Sequence, residues 1–310
     1  MALRILLKSI DSHASRHGRF IKPLLSISID FYVRCFVQLD SSARLAKDCA
    51  SKLSHVFACS SCHSLELQPL IKKTINGPST RFTNSSFHSS MIISSHQEAK
   101  QNGDASVSGS QCVHCGAKTI HMAGPIYTAP MHDTEFVKRL LQGIKETPQD
   151  DRLGTHERML GVLTVVSEEI HDVPLYYEHD QLMAVVKCTV PKHLLVRSAI
   201  INAGFKCSIS HCNAKALKTD APVTFLWDFA RYWNNVNPEK FPDGSSARTI
   251  LSAKNSYVIN FTTNPLAIPR SRTDCLLRFQ DNKGKIGDHV QKQKVLLPRR
   301  QQAFRRSRTS

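Results

Sequence analysis

Two Cys-x-x-Cys pairs, Cys59-Ser-Ser-Cys62 and Cys112-Val-His-Cys115, constrain this chain more than any other feature. Two intervening residues let both thiolates of a pair reach one ion from a single tight turn, and two such turns complete a tetrahedral Zn–S4 shell. Gly116, directly after the second pair, suits the close backbone path of a zinc knuckle. Forty-nine residues separate Cys62 from Cys112, a wide gap that leaves open the alternative of two unrelated pairs, one of them a redox motif. His63 and His114 lie within reach, but a four-cysteine shell needs neither.

The chain has ten cysteines in 310 residues and no recognisable secretory leader ahead of them. That is a pattern for metal-binding thiols in a reducing, intracellular compartment rather than for a disulfide scaffold. Cys35, Cys188, Cys207 and Cys275 sit in apolar or strand contexts and read as small core residues. His211-Cys212 has the residue types of a nucleophile and its base, but adjacent residues seldom face each other, and no third orienting group is in view.

Secondary-structure signals flank the cysteine pairs. Ala2–His17 carries an apolar stripe at roughly helical spacing and stops at Gly18. Leu24–Leu39 is dense in Ile, Val, Phe and Tyr and too long for one average strand, so two strands, or a strand and a bend, are expected. Residues 72–111 are rich in Ser, Thr, Asn, Gln and Gly without a period and read as a flexible insert. Helices are expected after an Asp133 cap, from Thr155 to Ile170, from Gln181 to Val186, from Pro191 to Ala203 and from Val223 to Trp233. Phe205, Cys207 and Ile209 alternate with polar residues as in a half-buried strand. The connector 213–222 offers Lys215 and Lys218 as phosphate contacts, or else is a solvated link with Asp220 capping the next helix.

Charge narrows the partner class. Lys and Arg number 41 against 25 acids, a formal +16, which points to nucleic acid or an anionic membrane surface. Twelve of those cations, against three acids, fall in the last 46 residues, so residues 266–310 are expected to be a disordered basic tail. Arg299, Arg300, Arg305 and Arg306 are its densest RNA-contact candidates and also resemble nuclear-import clusters. No apolar run is long enough for a transmembrane helix, and the basic, Ser-containing first 20 residues keep an organellar leader in play. No Gly-rich loop follows a strand and no Asp-Pro-Pro-Tyr-like motif appears, so no catalytic or donor-binding residue is assigned.

An ordered series of segments resembles the tRNA guanine-26 N2-dimethyltransferase family. It runs from ALRILLKSI (2–10) and KPLLSISIDFYVRCFVQL (22–39) through CSSC and CVHCG to GPIYTAPMHDTEFV (124–137). It continues with VPLYYEHDQL (173–182), RSAIINAGFKCSISHCN (197–213), LKTDAPVTFLWDFARYW (217–233), NFTTNP (260–265) and LLRFQDN (276–282). The resemblance implies S-adenosylmethionine as methyl donor, tRNA as partner, and Cys59, Cys62, Cys112 and Cys115 as metal positions. It implies an α/β fold: residues 1–45 as the edge of a Rossmann-like methyltransferase domain, 46–130 as a zinc-ribbon insert, and 131–265 as a tRNA-binding α+β domain with a winged-helix arrangement as one option. The opening helix matches the interior of the family's catalytic domain, so Met1 reads as an internal methionine and nuclear localisation is favoured over organellar. The family's donor-binding and Asp-Pro motifs lie upstream of that match, so the chain alone is expected to be inactive. A non-catalytic, zinc-containing RNA-binding accessory protein is the main rival reading, and a zinc-ribbon DNA-binding regulator a more distant one.

Overall fold

The computed structural model describes residues 1–77, 79–86, 91–94, 110–234 and 236–279. Helix α1 (Ala2–Arg16) presents Leu3 and Leu7 to the core and ends where Gly18 takes a left-handed φ of 66°. The chain then forms an antiparallel hairpin, β1 (Arg19–Ile29) and β2 (Tyr32–Ser41), turning at Asp30-Phe31 with a register shift at Pro23. The expected strand pair is present, and it begins five residues early because Phe20 and Ile21 already pack inward. Leu3, Leu7 and Ile21 share one cluster with Tyr127 and Met131, which seats α1 on the hairpin.

A short helix, α2 (Ala43–Ala46), capped by Ser42, leads through a 3-10 turn into β3 (Leu53–Cys59). β3 is the centre of a three-stranded antiparallel sheet, flanked by β4 (Leu65–Pro69) and later by the returning strand. Then follow β5 (Ile71–Asn76) and β6 (Ser79–Asn84), a regular hairpin in which Lys73 pairs with Phe82. This corrects the reading of 72–111 as a structureless insert over its first third. β7 (Ile92–Ser94) pairs with β8 (Ser110–Cys112), and residues 95–109 lie outside the described set. β9 (Ile120–Tyr127) returns along β3 and closes the sheet in the order β4-β3-β9.

The C-terminal helices follow the sequence closely. α3 (Thr134–Glu146) is capped by Asp133, whose carboxylate accepts from the Phe136 amide, and packs on α4 (His156–Glu168). β10 (Tyr177–Glu178), α5 (His179–Val185), α6 (His193–Asn202), β11 (Cys207–Ser210), β12 (Asn213–Thr219) and α7 (Val223–Asn234) come next in the chain. The strands form a sheet in the order β10-β12-β11. α8 (Ser246–Ser252) and α9 (Arg270–Thr273) complete the described helices. Ser208 and Ser210 are buried, so β11 is covered on both faces rather than half-exposed. Residues 213–219, read as part of a connector, are strand β12, and its last four residues are buried. The largest core cluster joins Leu182, Ile200, Phe225, Trp227 and Phe229 to all four cysteines of the two pairs. Among the described residues no helix is long and apolar enough to cross a membrane.

Candidate functional site

Cys59 ends β3, Cys112 ends β8, and Cys62 and Cys115 follow each on a turn of the same design. His63 N–H donates to the Cys59 carbonyl at 3.1 Å, and Gly116 N–H donates to the Cys112 carbonyl at 2.8 Å. Both residues sit at left-handed φ, 57° for His63 and 71° for Gly116. Gly116 was legible as a knuckle glycine; His63 plays the same backbone part at the strain cost of a Cβ. The four sulfurs converge: Cys59 Sγ lies 3.5 Å from Cys115 Sγ and Cys62 Sγ lies 3.7 Å from Cys112 Sγ. All four thiols are buried, and they lie within 4.8 Å of one another. With Zn–S bonds of about 2.3 Å, a tetrahedral shell has sulfur–sulfur edges of about 3.8 Å. The donor set therefore fits zinc in chemistry and spacing. Neither His63 nor His114 belongs to the cluster. The thiols also split one another's acidity: hydrogen bonds with Cys115 and Cys62 push Cys112 down, while the bond with Cys112 pushes Cys62 up. Four thiolates this close coexist only around a cation.

A second cluster surrounds Glu169, at the C-cap of α4, and was not legible as a site. Its Oε1 accepts from the Ser210 hydroxyl at 3.0 Å, the His211 amide at 2.5 Å and His211 Nδ1 at 2.6 Å. Its Oε2 accepts from Lys218 Nζ at 3.2 Å. Burial raises the carboxyl's proton affinity, but the bonds from His211 and the Lys218 charge outweigh it and hold the group well below the usual carboxylate range. The hint in the sequence was the doublet Glu168-Glu169 at a helix C-terminus, where negative charge is disfavoured unless a partner holds it.

Two imidazoles tie this cluster to β1. The Ser26 amide donates to His132 Nδ1 at 3.3 Å and the Ser28 amide donates to His211 Nε2 at 3.2 Å. Burial drives His132 down to about 3, so it is neutral. His132, Glu169 and His211 bring one potential ligand atom each within 4.8 Å of the others. They do not make a metal shell, because the Ser28 amide occupies the His211 Nε2 lone pair and Lys218 already neutralises the carboxylate. Beside the network a cavity of about 360 Å³ is lined by Arg4, Ser28, Tyr176, Cys212 and Lys218. Arg4 is anchored there by the carbonyls of Pro174 (2.6 Å), Tyr127 (2.8 Å) and Ala129 (3.1 Å).

The RNA-contact candidates separate. Lys215 is exposed on β12 and pairs with Asp180 at 2.6 Å, within reach of solvent. Lys218 is only 3% exposed, its ammonium engaged with a buried carboxylate, so it does not present itself to an external phosphate. This corrects its assignment as a surface contact. Arg299, Arg300, Arg305 and Arg306 lie outside the described residues.

Residues 1–231 match a family model described as N2,N2-dimethylguanosine tRNA methyltransferase. A tRNA (guanine(26)-N(2))-dimethyltransferase of Caenorhabditis elegans is 44% identical over 298 residues, covering 95% of this chain and 54% of that protein. Its Drosophila melanogaster counterpart is 43% identical over 289 residues, covering 91% and 47%. The chain thus spans about half the length of the curated relatives it matches. Among solved structures, Trm1 from Pyrococcus horikoshii in complex with S-adenosyl-L-methionine aligns with a TM-score of 0.53 at 20% identity, over 73% of this chain and 47% of that one. That likeness concerns the fold, a mixed α/β arrangement.

Proposed function

The chain belongs to the N2,N2-dimethylguanosine tRNA methyltransferase family, and from that premise we propose that it supplies the zinc-bearing, tRNA-holding part of an enzyme that methylates N2 of guanine 26 in tRNA. The observation that carries this reading is the four-cysteine cluster, whose sulfur spacings suit one zinc ion. Cys59, Cys62, Cys112 and Cys115 would hold the ion, which cross-links two knuckles distant in sequence and braces the core that includes Leu182 and Trp227. S-adenosylmethionine is the methyl donor in this reading, and none of the residues named here is assigned to it.

In this division residues 1–45 belong to the edge of the methyltransferase sheet, 46–130 to a zinc-ribbon insert, 131–265 to the tRNA-holding part and 266–310 to a basic tail. Lys215 and the arginines at 299, 300, 305 and 306 supply phosphate contacts, which fix position on the RNA without reading sequence. The formal charge of +16 favours a polyanion, and the tail arginines are also compatible with nuclear import. The test is equilibrium binding of the zinc-loaded chain to tRNA and to duplex DNA of matched length at one salt concentration. A preference for tRNA of about tenfold or more is expected, because a folded tRNA offers shape and 2′-hydroxyls that a DNA duplex lacks. Equal or tighter binding to duplex DNA would overturn the reading.

A further inference from the structure

A cavity of about 400 Å³ opens beside the first cysteine knuckle, where the end of β3 faces the corner between β10 and α5. That volume is in the range of small-molecule sites. Cys59 forms part of its wall, and Tyr177, from the opposite side, packs on the core cluster that contains all four cysteines of the two pairs. Further walls come from Tyr176, His63, His121, Glu178 and Gln181. No lysine or arginine lines the cavity, so it does not suit a phosphate group. Flat rings together with hydrogen-bond acceptors suit a planar heterocycle with a polar edge.

His63 and Glu178 narrow the ligand. His63 holds the left-handed position that Gly116 holds in the second knuckle, and it does so against its own Cβ. It is no part of the sulfur cluster, and it is exposed rather than packed in the core. What its side chain does is line the cavity. Glu178 Oε2 accepts from Gln181 Nε2 at 2.6 Å, and Oε1 accepts from Asn213 Nδ2 at 3.0 Å. Each carboxylate oxygen has two lone-pair sites, so these bonds fix the group and leave it able to accept again. Across the sheet Glu178 pairs with Ala216, the neighbour of the exposed Lys215. A nucleotide whose phosphate meets Lys215 therefore has its base beside the cavity.

We propose that this cavity holds one unpaired, amine-bearing nucleobase of the bound RNA, stacked against Tyr176 and His63, with Glu178 accepting from the exocyclic amine. The proposal rests on the tRNA-holding reading and adds a base contact to its phosphate contacts. Stacking tolerates sequence because every base has a π face, whereas the carboxylate discriminates. Cytosine presents an amine donor at position 4. Uracil, nearly the same in shape, presents a carbonyl oxygen there, which a carboxylate repels.

The test uses the full, zinc-loaded chain and three single-stranded RNA hexamers of equal charge: all-cytidine, all-uridine and abasic. Affinities are read by fluorescence anisotropy at ~0.2 M salt, where phosphate contacts are weakened. The all-cytidine hexamer should bind ~10-fold tighter than the abasic one, the effect of one stacked base. It should bind ~5-fold tighter than the all-uridine hexamer, and Glu178→Gln should erase that preference. Tyr176→Leu and His63→Gly should each narrow the gap between the all-cytidine and abasic hexamers. Because His63→Gly also relieves the left-handed strain, its denaturant midpoint should not fall, a separation of binding from stability that a merely structural histidine would not show. Should circular dichroism show that a variant does not fold, the three hexamers on the unaltered chain decide alone. Equal binding of the all-cytidine and abasic hexamers, or no preference for cytidine over uridine, would overturn the proposal. With a retained preference for tRNA over duplex DNA, that result removes the cavity assignment alone. Base-dependent hexamer binding without a tRNA preference would keep the cavity and overturn the tRNA reading instead.

Discussion

The Glu169–Lys218 pair makes the sharpest quantitative prediction. Its charges are 3.2 Å apart with side-chain exposures of 1% and 4%. At an effective dielectric of ~20 their attraction is about 5 kcal/mol, set against the cost of taking both ions out of water. Removing one partner forfeits the attraction and keeps the cost. Glu169→Leu strands a buried ammonium and also frees the His211 amide and Ser210 hydroxyl, so about 3–5 kcal/mol of stability should be lost. Lys218→Met leaves Glu169 with its other three donors and should cost less, about 2–3 kcal/mol. The double substitution Glu169→Leu with Lys218→Met should lose less than the two singles combined, by about 2 kcal/mol. Guanidinium unfolding followed by fluorescence of the buried Trp227 reads all three variants. Additivity within about 0.5 kcal/mol would refute the idea of a coupled buried pair. Lys218→Met should also leave the salt dependence of tRNA binding unchanged, whereas a phosphate-contacting lysine would reduce the slope by about one unit.

Three further outcomes are expected. Cys112→Ser should abolish stoichiometric zinc by elemental analysis and expose the ribbon to proteolysis, since structural zinc contributes roughly 10–16 kcal/mol in comparable peptides. Acid should destabilise the chain through its buried histidines: His132 and His193 are held to about 3 and about 4, below an unfolded value near 6.5. The unfolded state therefore binds more protons as pH falls from about 6.5 toward 4, and stability should drop by up to about 2.7 kcal/mol per pH unit, with half-buried His193 giving less than its share; a flat chemical-denaturation profile over that window would contradict this. Gly161→Ala should cost about 1–3 kcal/mol, because a Cβ there would lie 2.1 Å from the Leu277 carbonyl oxygen, and a melting temperature unchanged from the parent would show that the segment yields freely.

What the sequence disclosed depended on how local the signal was. Cys59-x-x-Cys62, Cys112-x-x-Cys115 and the Gly116 turn are complete within five residues, so the four-cysteine cluster is readable even with much of the intervening segment obscure. Asp133 and Gly18 mark helix ends for the same reason. The β5–β6 hairpin escaped because it is exposed on most of both faces, leaving no apolar alternation to detect among its Ser, Thr and Asn residues. Strand β12 resembles a connector in the sequence because a lysine at a core position looks like surface until its carboxylate partner is known. That partner, Glu169, lies 49 residues earlier, and a separation of 42 residues likewise hid the carboxylate that holds His211. Long-range polar pairing, unlike spacing, leaves only an indirect mark on the chain, here the Glu168-Glu169 doublet at the end of α4.

A zinc-clamped core that holds tRNA is the central proposal, and one measurement addresses both halves. The zinc-loaded chain is titrated with tRNA, stripped with a chelator, titrated again, and titrated once more after zinc is restored. Because the four cysteines share a core with Leu182 and Trp227, loss of the ion should loosen the tRNA-holding part. Affinity should fall on stripping and return with zinc at unchanged ionic strength. Affinity indifferent to chelation in a chain shown to have lost its metal would contradict the account.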